Sequence, residues 1–192
     1  MIYYAADISI QKYFTKSEIV QKIENSLVNK DTKEKNFSLL NANLLDNSLL
    51  QFLKDDHNMH ISGITMPWFY FGMTFSTFCW HTEDLYLYSL NYMHDGASKI
   101  WYGISTKEKE KMDEYIKNKY FAILLKEPDL IHKLTVHIDP KELKANGINV
   151  HRTVQKPGEI ILTLPKGYHS GFSTGSNMSE AVNLSVIIKK KF

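Results

Sequence analysis

Two segments of the sequence, His81-Thr82-Glu83 and the later Gly167-Tyr168-His169-Ser170-Gly171, carry two imidazoles and one carboxylate that could serve a single metal ion. Two neutral imidazole nitrogens and one carboxylate oxygen on the same side of an ion make the 2-His-1-carboxylate facial triad, the ligand set of non-heme iron(II) oxygenases. In an extended strand, residues i and i+2 point to the same side, so His81 and Glu83 can reach one ion while Thr82 faces away. Any His-x-Glu in a strand has that geometry. On these three residues alone, a buried hydrogen-bonded cluster without metal is the competing reading.

The elements that must position these groups follow from composition and pattern. The 192 residues, 43% hydrophobic and 12% aromatic, suffice for one domain with a sizeable core and not for two. A formal charge of +2, from 23 basic and 21 acidic residues, is too balanced to argue for nucleic-acid binding by bulk electrostatics. Cys79 is the one cysteine, which excludes a disulfide framework or a cysteine zinc site built from this chain alone and fits a reducing compartment. No apolar run approaches the length of a membrane span, and the opening MIYYAADISIQKYF has no signal-peptide pattern, so a soluble intracellular protein is expected. That opening reads as strand from its second residue, as in a piece of something larger.

Along the chain, residues Tyr3 to Ile8 read as a strand. Thr15 to Glu18 open a helix carrying Ile19, Ile23 and Leu27, which ends near Asn29 before a solvated loop to Asn36. Leu49, Leu50 and Leu53 suggest a short helix, and Met59 to Thr65 a strand. From Pro67 to Trp80 the pattern is continuously extended, with Trp68, Tyr70, Gly72, Thr74, Ser76 and Phe78 on one face. A strand over Tyr86 to Met93 groups Leu87, Ser89, Asn91 and Met93, and Asp95-Gly96 turns it into Lys99 to Ile104 as a hairpin. Ser105-Thr106-Lys107-Glu108 is a capping box ahead of a helix with the stripe Met112, Tyr115, Ile116 and Ile123. Asp139-Pro140 opens another helix that Asn146-Gly147 closes. Pro157-Gly158 turns into a strand over Glu159 to Leu164, and Glu180 to Ile188 forms the last strand. Short strands with turn signals, and a triad drawn from one strand and a distant turn, point to a mainly β fold. The expected architecture is a double-stranded β-helix, a jelly-roll or cupin-like barrel, with peripheral helices inserted at about 15–56 and 105–147 and a ligand at the barrel mouth.

Two blocks, GITMPWFYFGMTFSTFCWHTEDLYLYSLNYMHDGASKIWYGIS from Gly63 to Ser105 and GEIILTLPKGYHSGFSTGSNMSEAVNLS from Gly158 to Ser185, closely resemble the Jumonji C (JmjC) domain of iron and 2-oxoglutarate dependent histone lysine demethylases. The likeness runs from Tyr4-Ala5-Ala6-Asp7 to about Ser185 and implies a single JmjC catalytic domain over 1–192. It makes His81, Glu83 and His169 the ligands of Fe(II), with O2 as co-reactant and 2-oxoglutarate as cosubstrate. The cosubstrate residues it implies are Lys99 and Tyr4 at the distal carboxylate, Asn91 and Ser89 nearby, Phe78 and Trp101 packed on it, and Thr163. The residues' own pattern agrees in part, because Ser89 and Asn91 share a strand face and a lysine inside an aromatic barrel needs an anion. As an ordinary surface lysine after a turn, Lys99 would need none.

For a methylated lysine, the family pattern matches Asp7, Gly63, Tyr70, Ala181 and Asn183. An aromatic ring, oxygen-lined walls and a nearby carboxylate suit a methylammonium cation. The segments PWFYFGM, FSTFCWH, EPDLIHKL and SEAVN are most similar to the branch acting on methylated lysine 4 of histone H3, whereas His-Thr-Glu-Asp is more similar to the branch acting on lysines 9 and 36. The implied reaction oxidises an N-methyl group and releases formaldehyde and succinate, and the implied setting is chromatin, a histone H3 tail and the nucleus. Neither a membrane nor sequence-specific DNA contact is implied. Two other readings share the barrel: a protein hydroxylase and a catalytically silent chromatin-binding module. Of the remaining histidines, His57, His60, His94, His132, His137 and His151 read as bystanders, and Cys79 as a packed strand thiol.

Overall fold

A computed structural model describes residues 2–4, 67–126 and 137–184. Asp7, Gly63, the helices expected before Asp55, the strand at Met59 to Thr65 and everything beyond Leu184 lie outside the described residues. The strands are β1 (Ile2–Tyr4), β2 (Trp68–Gly72), β3 (Thr77–His81), β4 (Tyr88–Gly96), β5 (Lys99–Ile104), β6 (Val150–Gln155), β7 (Ile160–Thr163), β8 (His169–Ser173) and β9 (Asn177–Leu184). The helices are α1 (Lys109–Lys119), α2 (Phe121–Leu124) and α3 (Pro140–Ala145). Among the described residues, no helix is long and apolar enough to cross a membrane.

The strands form two sheets, ordered β1-β7-β4-β9-β2 and β3-β8-β5-β6. Pairing is antiparallel except between β1 and β7. Side chains cross from one sheet to the other, as when Lys99 of β5 reaches Ser179 of β9 and Gln155 of β6 reaches Asn91 of β4. The sheets therefore face each other as the two walls of a jelly-roll barrel.

Alternation along β5 shows how the walls are built. Lys99, Trp101 and Gly103 stand opposite Ser173, Gly171 and His169 on the inner face. Ile104, on the opposite parity, joins Trp80, Met112, Ile116, Ile138, Leu143, Ile148 and Val150 in a buried cluster that seals the outer face with α1 and α3. Trp80 keeps its indole satisfied there by donating to the Ile138 carbonyl at 3.0 Å.

Several sequence expectations change. The extended run from Pro67 to Trp80 is two strands in different sheets, divided at residues 73–76. Phe75 there takes a left-handed φ of 62° and Ser76 bonds back to Met73. Tyr70 and Phe78 thus do not share a strand face. The expected hairpin is also absent: β4 pairs with β7 and β9, and β5 with β6 and β8, so the turn at Asp95-Gly96 carries the chain between sheets. Gly96 permits this with φ 97°, where a Cβ would lie 2.3 Å from the Ser176 carbonyl oxygen. β4 begins at Tyr88, because Asp84–Tyr86 forms a 3-10 turn.

Ser105 caps a 3-10 turn through the Lys107 N–H, but the reciprocal half of the capping box does not form: Glu108 instead accepts from the Asn149 backbone and side-chain amides. Ile123 leaves the expected stripe, since α1 stops at Lys119 and Ile123 is half exposed. The Asp139-Pro140 start and Gly147 stop of α3 are as expected, with Asp139 accepting from the Lys141 N–H and Gly147 at φ 75°. β9 starts at Asn177, three residues before the expected strand.

Candidate metal centre and the cavity beside it

β3 ends at His81 and the chain stays extended at Glu83 (φ −65°, ψ 149°), immediately before the 3-10 turn. β8 opens with His169, the register partner of His81. Their rings lie 4.2 Å apart between centroids, and His169 Nε2 is 3.2 Å from Glu83 Oε1. One ligand atom from each of the three residues falls within 4.8 Å of the others, the separation a single ion can span.

The protonation pattern suits a metal. His81 Nδ1 is 2.8 Å from the Cys79 carbonyl and His169 Nδ1 is 3.1 Å from the Gly167 carbonyl. Carbonyl oxygens only accept, so both Nδ1 atoms carry a hydrogen and Nε2 is the nitrogen each ring offers to a ligand. Burial, then the neighbouring His169, lowers the His81 pKa and favours that neutral form. Burial pushes the Glu83 carboxyl up, but His169, Asn183 and Ser89 outweigh it and hold the group at about 2. Asn183 Nδ2 donates to Glu83 Oε2 at 2.9 Å and Ser89 Oγ to Oε1 at 2.7 Å. The Ser89 proton being spent on the carboxylate, Thr163 Oγ1 must be the donor in its 2.5 Å contact with Ser89 Oγ. An ionised carboxylate with two N-bearing rings beside it is a coherent donor set for iron(II).

Next to the triad, Phe78 and Trp101 pack with centroids 4.5 Å apart, and Trp101 stacks toward His169 at 6.0 Å. Gly171 makes room: a Cβ there would sit 2.5 Å from the Phe78 ring and 2.1 Å from the Ile100 carbonyl oxygen. Lys99 is buried, which removes the surface-lysine reading. Its Nζ donates to Ser179 Oγ and lies 5.9 Å from the Tyr70 centroid, and burial lowers its pKa to about 8. No carboxylate pairs with it among the described residues. Such a lysine is costly unless an anion joins it.

Of the remaining expected residues, Tyr4 belongs to β1, paired with Leu162. Ala181 stands between Asn91 and Trp68, and Tyr70 opposite Ser179, so β2 brings Tyr70 to the Lys99 ammonium from the larger sheet. Asn183 and Ser89, expected near substrate and cosubstrate, both spend a donor on Glu83. Ser179 and Gln155 escaped the sequence reading. Ser179 shares the parity of Ala181 and Asn183, a signal hidden by starting the strand at Glu180, and β6 was not read as a strand at all. His94, expected to be idle, pairs with buried Glu180 at 2.9 Å.

The comparisons with known proteins identify the family. Residues 68–184 match the family model described as "JmjC domain, hydroxylase". The chain belongs to the JmjC family. It is similar to the putative lysine-specific demethylase JMJ16 of Arabidopsis thaliana, 41% identical over 187 residues, covering 97% of this chain and 15% of that protein. It is 44% identical over 151 residues to the rice lysine-specific demethylase JMJ703, covering 79% of the chain and 12% of the relative. Human lysine-specific demethylase 5D is 41% identical over 166 residues, covering 84% and 10%. This JmjC chain therefore spans a small fraction of the length of the curated relatives it matches.

Proposed function

We propose that this JmjC domain is an Fe(II)- and 2-oxoglutarate-dependent dioxygenase that removes methyl groups from lysine on the histone H3 tail, with lysine 4 as the target, and that it works on chromatin in the nucleus. The observation that carries the reading is the juxtaposition of two Nε2 atoms and the Glu83 carboxylate, within 4.8 Å of one another, with a buried Lys99 that has no carboxylate partner among the described residues and stands on the same inner face as Trp101. The names of the relatives support the substrate class.

In this reading His81, Glu83 and His169 hold the metal. Lys99, Tyr4 and Asn91 bind the dicarboxylate, with Phe78 and Trp101 as its walls and Ser89 and Thr163 behind Glu83. Tyr70, Ala181 and Asn183 would take the methylated lysine, and Asp7 and Gly63 are assigned to it from the family pattern alone. The charges of iron(II), Glu83, a dicarboxylate and Lys99 cancel, so the assembled site is neutral in a low-dielectric cavity. Iron(II), when bound with 2-oxoglutarate and O2, would supply the oxidation of the N-methyl group to a hemiaminal that releases formaldehyde, one oxygen atom going to the methyl carbon and the other to succinate as 2-oxoglutarate loses CO2. The chain's own part is to fix both imidazoles through their Nδ1–H bonds to backbone carbonyls, to orient Glu83 through Ser89 and Asn183, and to exclude water with the Phe78 and Trp101 rings. Burial, then Glu83, raises the Tyr70 phenol pKa, so the ring stays neutral beside a cation.

Trimethylated H3 peptides at lysines 4, 9 and 36, incubated with iron(II), ascorbate and 2-oxoglutarate and read by mass spectrometry beside His81→Ala, test this. The expected result is loss of a methyl group from the lysine 4 peptide, absent in the variant. A gain of one oxygen would replace the reading with hydroxylation. Loss from lysine 9 or 36 would move the target. Binding of the peptides with no succinate formed would favour a silent binding module.

A further inference from the structure

Gln155, the last residue of β6, is fully buried yet lies outside every role assigned above. Its amide joins two residues of the proposed cosubstrate site. Trp101 Nε1, which can only donate, bonds Gln155 Oε1 at 2.9 Å. That contact decides which end of the Gln155 amide is oxygen. The opposite end, Nε2, lies 2.9 Å from the Asn91 carbonyl and 3.1 Å from the Glu159 carbonyl, both of which can only accept. Reversing the amide would set two carbonyls against Oε1 and two donors against each other, so one orientation survives without ambiguity.

The same Nε2 meets the Asn91 side chain at 3.2 Å. Two hydrogens serve three acceptors here, so the Asn91 side chain shares one with a backbone carbonyl; a group that only donates still requires an acceptor, and Asn91 turns Oδ1 toward Gln155 and keeps Nδ2 at the other end of its amide. Asn91 is on the inner face of β4 with Ser89, opposite Ala181 and Ile161, and it is half buried. No other hydrogen bond of its side chain occurs among the described residues, which leaves both Nδ2 hydrogens for a ligand in the cavity.

We infer that Gln155 is a positioning residue for cosubstrate binding: anchored by Trp101 and two backbone carbonyls, it locks the Asn91 amide with its N–H donors toward the cavity, so that this position accepts a carboxylate oxygen. The inference rests on the reading that a dicarboxylate occupies the cavity. It names a role for a residue that never touches the ligand.

The test is calorimetric titration of 2-oxoglutarate into the Mn(II)-loaded chain, which binds without turnover, for the wild type, Gln155→Met, Asn91→Ala and the double variant. The Fe(II) enzyme's KM and kcat are measured beside it. Gln155→Met is expected to weaken 2-oxoglutarate roughly tenfold to a hundredfold, the range for a hydrogen bond to a charged group, with kcat at saturating cosubstrate within a few-fold. Added to Asn91→Ala it is expected to cause no further weakening, because both changes remove one interaction. A Gln155→Met affinity equal to wild type, or full additivity in the double variant, overturns the inference, as would a lowered melting temperature with unchanged Kd. Should Gln155→Met not fold, Asn91→Asp carries the test. It still accepts from Gln155 but presents an acceptor to the cavity, and an undiminished 2-oxoglutarate affinity there would sink the idea. A wild type that binds no 2-oxoglutarate with Mn(II) present refutes the proposed function itself and this inference with it.

Discussion

The two faces of β5 carry opposite kinds of chemistry. Outward, Ile104 packs with Trp80, Met112, Leu143 and Ile148, each nearly or wholly removed from water and none ionisable. Inward, Lys99 and Trp101 stand among amides, hydroxyls, imidazoles and a carboxylate that are tied to one another by directed hydrogen bonds. One six-residue strand thus gains stability on one side and holds reactive groups on the other. The apolar face is sensitive to loss of volume, whereas the polar face is sensitive to loss of hydrogen-bond direction.

The largest test of that division is His169→Ala. Succinate formation should fall to background while cooperative thermal unfolding persists; retained turnover would remove His169 from the metal. Next, Met112→Ala on the outer face should cost about 2–5 kcal/mol in urea unfolding, as for other fully buried side chains, and leave the 2-oxoglutarate KM unchanged. A shifted KM would show that the two faces are coupled.

Lys99→Met should do the reverse, abolishing tight 2-oxoglutarate binding while stabilising the ligand-free fold. Burial lowers the Lys99 pKa to about 8 from 10.5, so the folded state holds this proton less tightly than the unfolded chain. Stability attributable to Lys99 should therefore rise between pH 8 and 10.5, by up to about 3 kcal/mol, with the whole burial cost borne below pH 8. A bound dicarboxylate raises that pKa again, so 2-oxoglutarate affinity should fall as pH climbs past about 8. Ligand-free melts and titrations across that range check both signs, and the slope should vanish in Lys99→Met.

The smallest effect concerns the turn after Glu83. Leu85 and Tyr86 hold φ of 53° and 52°, values that cost a non-glycine residue roughly 1–2 kcal/mol. Leu85 is also exposed, so Leu85→Gly should raise stability by about 1 kcal/mol. An equal or lower unfolding midpoint in urea would mean that Leu85 makes compensating contacts.

Much of the geometry of the candidate metal site was legible because its parts are local. His81 and Glu83 do lie on one side of an extended segment, and His169 follows a turn that carries it to the same place. The helix boundaries at Asp139-Pro140 and Gly147 were readable for the same reason, since capping and left-handed turns depend on a few consecutive residues. The hairpin expectation failed because Asp95-Gly96 specifies a turn and says nothing of which strands pair afterward. The partners Ser173, Gly171 and His169 of β5 come from about 70 residues further along the chain.

By itself, then, the sequence determined the chemistry of the candidate ligands, the family and the local alternation of polar and apolar residues along the strands. Tertiary structure decided which residues meet. The clearest case is β3, where Phe78 pairs with Gly171 and His81 with His169, three residues advancing against two. Strict alternation would send Phe78 and His81 to opposite faces. The bulge between them turns both inward, one against Trp101 and one toward His169, because an extra residue in one strand reverses parity only where a partner strand exists to define it.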